Sequence, residues 1–198
     1  TARLALIDAA IGEAIEDGHL PGAVVLVWHG GRTVYSRAFG HRALVPSREA
    51  MTLDTVFDLA SLTKVIATTT SVMALVEDGR LRLTDPVARH LPGFERHGKD
   101  TVTIEQLLTH VSGLRPDLPL EDAFTGHETA IARVLDERLV ETPGTTFIYS
   151  DLNFVLLGEI VSRVSGVSLD AFARQRVFEP LGMHDTMFRP SSSLVSRI

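Results

Sequence analysis

The sequence predicts a mixed α/β chain of the α+β kind, and three observations predict it. One β-hairpin pattern stands near the start, over residues 23–39. Six or seven helical patterns follow it. The 198 residues are 44% apolar and 22% charged, a balance that builds a core and differs from that of a disordered tail.

Residues 3–17 read as an amphipathic helix. Leu4, Ile7, Ala10 or Ile11, and Ile15 recur at helical spacing with Asp8, Glu13 and Glu16 between them, and Gly18 and Pro21-Gly22 stop it. Ala23–Trp28 is a short apolar run rich in valine, read as a strand buried on both faces. Gly30-Gly31 is a two-residue turn signal, and Arg32–Phe39 alternates well enough to pair back as the second strand, which Gly40 closes. Residues 41–57 read as polar and irregular.

A long periodic segment then follows Ser61. Val65, Ile66, Thr69, Val72, Met73 and Val76 form its stripe, its few charges predict burial, and Glu77-Asp78-Gly79 ends it. Asp85-Pro86 starts a short turn of helix through about His90. Thr103, with Gln106 three residues on, has the form of a capping box for a helix through His110. Further helices are expected at about 127–140, at Asn153–Val164 with Gly166 as C-cap, and at Leu169–Phe178. Ser191-Ser192-Ser193 reads as a loop or linker.

Two strands make a poor sheet by themselves, and the chain stops at Ser196-Arg197-Ile198 without a terminating element. Strands are therefore expected to be missing, with this chain a fragment or one product of a cut chain. The alternative is a mostly helical domain carrying a minor hairpin.

Composition narrows the function classes. The net charge of −6 gives no basic face for nucleic acid. Cysteine is absent, which removes disulfides, thiolate nucleophiles and Cys-ligated zinc. The longest aliphatic-aromatic run, Ala23–Trp28, is far short of the roughly 20 residues of a spanning helix, so no integral membrane segment is expected. The first residue is Thr, and any leader is taken as removed or never present; localisation stays open between periplasmic or extracellular and cytoplasmic. The eight histidines form no i, i+4 pair or other ligand cluster, so neither a metal nor a cofactor is expected. Gly-x-Ser-x-Gly is absent, against the nucleophile-elbow hydrolases.

Two places remain where chemistry can sit. In Ser61-Leu62-Thr63-Lys64 the lysine lies one helical turn beyond the serine, so its amine can reach the hydroxyl and help remove its proton. A helix start also favours developing negative charge. Only two lysines, Lys64 and Lys99, stand against seventeen arginines, so a lysine-dependent motif is less expected by chance. The plain reading is a serine cap beside an exposed lysine. The second place is Tyr149-Ser150-Asp151, just before a helix. A phenol acts as a base only if nearby positive charge lowers its pKa, and Lys64 could supply that charge. The plain reading is a half-buried aromatic.

Four segments in order resemble one family: Phe57–Lys64 (Phe-Asp-Leu-Ala-Ser-Leu-Thr-Lys), Leu107–Leu114 (Leu-Leu-Thr-His-Val-Ser-Gly-Leu), Tyr149–Phe154 with Leu156-Leu157-Gly158, and Pro180–Thr186. The chain resembles the N-terminal portion of the serine β-lactamase and penicillin-binding-protein-like hydrolases, specifically the class C β-lactamase and family VIII esterase branch. The resemblance implies a β-lactamase/transpeptidase-like fold, with an antiparallel sheet flanked by helices plus a mostly helical domain. Residues 1–80 would hold the N-terminal helix, hairpin and nucleophile helix, 81–180 the helical domain, and 181–198 the return toward strands missing from this chain.

The resemblance also implies roles. Ser61 would be the acylated nucleophile, Lys64 its partner in proton transfer, and Tyr149 the general base and later the acid toward the leaving group. The position two residues beyond the tyrosine, where the family usually has Asn touching the substrate carbonyl, is Asp151 here. An ionised carboxylate only accepts hydrogen bonds, which disfavours β-lactams and favours esterase or peptidase-like activity. A third family motif, Lys/His-x-Gly on a late strand that supplies an oxyanion-hole amide, is not in this chain. The expected partners are a small ester, amide or β-lactam and a complementary C-terminal segment or second chain completing the sheet. A non-catalytic binding or scaffold member of the same fold is the alternative.

Overall fold

The computed structural model describes residues 4–119 and 124–198. They fall into two units, one made of the chain up to Asp58 with Arg189–Ile198, the other of Leu59–Phe188.

The first unit holds α1 (Ala5–Glu16) and a three-stranded antiparallel sheet of β1 (Gly22–His29), β2 (Arg32–Ala43) and β3 (Glu49–Ala50), in that order. Gly30 and Gly31 both take positive φ, 58° and 77°, as a primed two-residue hairpin turn requires. The register pairs Gly22 with Gly40 and Leu26 with Ser36, with an irregularity between Val27 and Trp28. Gly40 does not close β2. It bends the strand at φ 64°, where a Cβ would stand 2.4 Å from the Pro21 carbonyl oxygen, and the strand runs on to Ala43.

β3 lies in a stretch whose sequence carries no strand pattern. It is two residues long and is fastened by an ion pair of 2.9 Å between Arg42 and Glu49. β1 differs from the expected doubly buried strand, since Leu26 and Trp28 are exposed. An unbroken apolar run signals two apolar faces but does not say what covers them. α1 has no fully buried residue; it is tied to β2 through Asp8, which accepts from the Tyr35 hydroxyl and pairs with Arg37 at 2.7 Å. Ser192–Arg197 forms 3-10 turns rather than a linker, and the Arg197 carbonyl accepts from the Val56 amide at 2.7 Å.

The second unit holds the hydrophobic core. α6 (Asp151–Ser165) runs through it and buries Leu152, Leu156, Leu157, Ile160 and Val161. Around it pack α2 (Thr70–Glu77), α3 (Val87–His90), α4 (Ile104–Leu108), α5 (His127–Asp136) and α7 (Leu169–Ala173). Local signals set these ends. Thr103 accepts from the Gln106 amide at 3.3 Å while the Gln106 side chain accepts from the Thr103 amide at 3.1 Å, which completes the capping box of α4. Gly166 takes φ 83° at the end of α6, a left-handed cap that glycine adopts without strain.

α5 stops at Asp136, four residues short of the expected end. The side chain of Lys99, fully buried, donates to the carbonyls of Leu135 at 3.2 Å and of Glu137, and so satisfies orphan carbonyls of that helix end. Among the described residues no single helix is long and apolar enough to cross a membrane.

Candidate active site

Ser61 follows a strained residue. Ala60 has φ 42°, a left-handed conformation that costs a residue with a Cβ about 1–2 kcal/mol, and such strain gathers where geometry is demanding. Tight turns follow: the amides of Leu62, Thr63 and Lys64 donate to the carbonyls three residues back at 2.8, 3.1 and 3.1 Å. The backbone then widens into π-helical turns over Lys64–Thr69 before α2 begins. The sequence pattern does not distinguish these turns from an ordinary α-helix. The three-residue spacing nonetheless brings Lys64 Nζ to 3.0 Å from Ser61 Oγ.

Lys64 is the hub. Its side chain is 15% exposed, and Nζ meets Asp151 Oδ1 at 2.6 Å as an ion pair. It lies 5.0 Å from the centre of the Tyr149 ring and 5.9 Å from that of Phe154. Burial alone would lower its pKa. The acceptors Asp151 and Tyr149 outweigh that, and the net shift is upward, so Lys64 is an ammonium.

The Tyr149 phenol is held below its ordinary range, first by the hydrogen bond from Ser61, then by that from Lys64 and by the lysine charge. An opposite charge and donors directed at the phenolate both favour its ionised form. The tyrosine itself is half-exposed.

A scaffold centred on the buried His110 holds the tyrosine ring. Its plane stacks on His110 with 4.5 Å between centres and 29° between planes, and Phe147 and Phe154 flank the imidazole at 5.7 and 5.2 Å. His110 Nδ1 accepts from the Ser150 amide at 3.0 Å, which leaves any ring proton on Nε2. Burial, then the Lys64 charge, pushes the His110 pKa down, so the ring is neutral. The Asn153 amide nitrogen lies 3.4 Å from the same Nδ1, and its oxygen accepts from the Ser112 hydroxyl at 2.6 Å. Ser112 Oγ in turn accepts from the Leu114 amide at 3.2 Å. Each link is a buried polar group with a partner, the condition under which such a network rigidifies its surroundings.

Ser150 is occupied. Its hydroxyl donates to the Arg115 carbonyl at 2.6 Å and it is fully buried, so it offers nothing to a substrate. Asp151 opens α6, where the helix N-terminus favours a negative side chain. Its amide is fixed to the Pro116 carbonyl at 2.8 Å.

All four residues singled out in the sequence therefore meet at one place: Ser61, Lys64, Tyr149 and Asp151. A hydroxyl, an ammonium, a phenol primed to ionise and a carboxylate can take up, hold and return a proton beside a nucleophilic oxygen. The sequence alone assigns no role to His110, Ser112 or Asn153. Their signal was their place inside the motif segments, but no residue type among them declares a packing role under a tyrosine.

The β-lactamase family model matches residues 7–197. The chain belongs to the β-lactamase family. This family member is 31% identical over 193 residues to the protein flp of Staphylococcus aureus strain MW2, covering 94% of this chain and 38% of that protein. It superposes on the octameric penicillin-binding protein homologue from Pyrococcus abyssi with a TM-score of 0.81 and 32% identity, covering 91% of this chain and 43% of that one. It superposes on a class C β-lactamase from Rhodobacter sphaeroides with a TM-score of 0.81 and 30% identity, covering 96% and 52%. The family chain described here thus spans about two-fifths to one half of the length of those relatives, and its fold is β-lactamase/transpeptidase-like.

Proposed function

We propose that the protein is a serine hydrolase that forms an acyl-enzyme on Ser61. The observation that carries this reading is the contact of Lys64 Nζ with Ser61 Oγ at 3.0 Å, beside a phenol that takes hydrogen bonds from both. In acylation, Ser61 Oγ bonds to the substrate carbonyl carbon and its proton passes to the Tyr149 phenolate. The bond from that carbon to the leaving group then breaks, and Tyr149 gives the departing atom its proton. Water repeats the sequence: its proton goes to Tyr149, its oxygen bonds to the acyl carbon, and Ser61 leaves with the proton returned.

Lys64 remains an ammonium throughout. It lowers the energy of the phenolate and holds the serine oxygen in place. Esters, amides and β-lactams of modest size all fit this chemistry, and Asp151 borders the reacting atoms as a substrate-facing group. Full rate is proposed to need strands from a further segment or a second chain, because loss of one oxyanion-hole donor typically lowers kcat by about 10²–10³.

The test is turnover of p-nitrophenyl butyrate by the intact protein and by Ser61→Ala. The substitution is expected to bring the rate to background. Equal rates would overturn the reading and favour a non-catalytic member of the fold.

A further inference from the structure

Asp151 divides its two oxygens between two environments. Oδ1 is buried and faces Lys64 Nζ at 2.6 Å. The side chain is nonetheless 50% exposed, so that exposure lies on the outer part of the carboxyl group, where Oδ2 sits. Lys64 joins this group to the nucleophile: it touches Ser61 Oγ at 3.0 Å on one side and Asp151 on the other. The carboxylate therefore lies within two hydrogen-bond lengths of the serine oxygen.

The chemistry of that outer oxygen is fixed by residue type. An asparagine in the same pose would give its oxygen to Lys64 and present an NH₂ outward as a donor. Aspartate gives one oxygen to Lys64 and presents another oxygen outward, an acceptor that cannot donate. A substrate carbonyl placed against it would meet oxygen with oxygen. An N–H would be accepted, and an ammonium most strongly, since charge-assisted hydrogen bonds are about twice as strong as neutral ones.

We infer that Asp151 selects acyl groups carrying an amine close to the scissile carbonyl and disfavours those presenting a carbonyl there. The inference rests on the hydrolase reading and names its substrate class: esters or amides of amino acids whose ammonium sits one or two carbons from the reacting carbon. One contact is directed at the nucleophile's partner and the other at the substrate, so Asp151 is a specificity residue.

The test compares two p-nitrophenyl esters on the intact protein, that of β-alanine and that of butyric acid. They have nearly the same shape and differ by an ammonium in place of the terminal methyl. The readout is the ratio of their kcat/KM values, in wild type and in Asp151→Asn. The substitution keeps an oxygen for Lys64 and turns the outward acceptor into a donor. The ratio is expected to fall about tenfold to a hundredfold in the variant, the worth of one hydrogen bond to a charged group. Dividing the two ratios cancels the intrinsic reactivity of the esters. An unchanged ratio, with acyl-Ser61 seen by mass for both esters, would overturn the inference and leave the hydrolase reading standing. Absence of acyl-Ser61 with both esters in wild type would overturn the hydrolase reading, and the inference with it.

Discussion

The Lys64 ammonium meets the Asp151 carboxylate at 2.6 Å, closer than the 3.0 Å at which it meets Ser61 Oγ. That pairing decides which proton state the lysine brings to the serine. An amine held beside a carboxylate stays protonated, so under the proposed mechanism Lys64 serves as a donor and a charge, and the phenol is the base.

Replacing Lys64 by methionine removes the cation that both oxygens share. The Tyr149 phenol loses a hydrogen bond and a stabilising charge, and its pKa rises toward the ordinary value. The expected fall in kcat/KM is about 10²–10⁴, the usual worth of a positioned proton-transfer group. Lys64→Arg should not restore the rate, because a planar guanidinium does not replace a compact ammonium.

Tyr149→Phe removes the oxygen and leaves the ring. The stack on His110 is preserved, so the thermal midpoint should stay within a few degrees while kcat falls by about 10²–10⁴. A comparable loss of folding stability would show that the hydroxyl is structural. Circular dichroism on heating and steady-state kinetics separate the two.

The pH dependence follows from two shifts of opposite direction. The Tyr149 phenol is lowered and the Lys64 ammonium is raised. The proposed mechanism needs Tyr149 ionised and Lys64 charged, so kcat/KM should rise through the lowered phenol pKa and fall only when Lys64 loses its proton. In Asp151→Asn a negative charge is gone, which makes loss of a proton easier for both groups. Both limbs of the profile should move to lower pH. A limb that moves upward in a pH–rate profile of the variant would contradict the assignment of base and ammonium.

His110 is the part of the site that the sequence does not declare. The three-residue spacing of Ser61 and Lys64 places hydroxyl and amine within reach, and Tyr149 stands out as one of two tyrosines, but their expected roles come from the resemblance of the segments around them. A neutral imidazole beneath a phenol carries no such spacing. It lies 39 residues before the tyrosine and meets it only through the fold. The same limit holds elsewhere. Thr103 and Gly166 declared their helix ends through local capping chemistry, whereas β3 has no pattern beyond two residues held by Arg42 and Glu49. Lys99 shows the limit from the other side: it is the chain's second lysine, yet it serves the end of α5.

The buried network beneath the tyrosine predicts a stability loss with a catalytic echo. Asn153→Ala leaves the Ser112 hydroxyl without its 2.6 Å acceptor, and a buried polar group left unpaired costs about 1–3 kcal/mol. Denaturant unfolding should show that loss. Asn153 also neighbours His110 Nδ1, so kcat should drop with the looser Tyr149 ring.

Gly113 marks a position where the backbone permits nothing larger. It has φ 81°, and a Cβ there would stand 2.2 Å from the Glu141 carbonyl oxygen, while its own carbonyl accepts from the Val140 amide at 2.8 Å. Gly113→Ala should therefore cost more than the roughly 1–2 kcal/mol of the left-handed conformation alone, as judged by the shift of the denaturant midpoint.

The most direct test of the central claim is peptide mapping by mass spectrometry after brief incubation of the intact protein with a fluorophosphonate. One adduct is expected, on Ser61, abolished in Ser61→Ala and slowed in Tyr149→Phe. Label on another residue, with Ser61 unmodified while substrate still turns over, would contradict it.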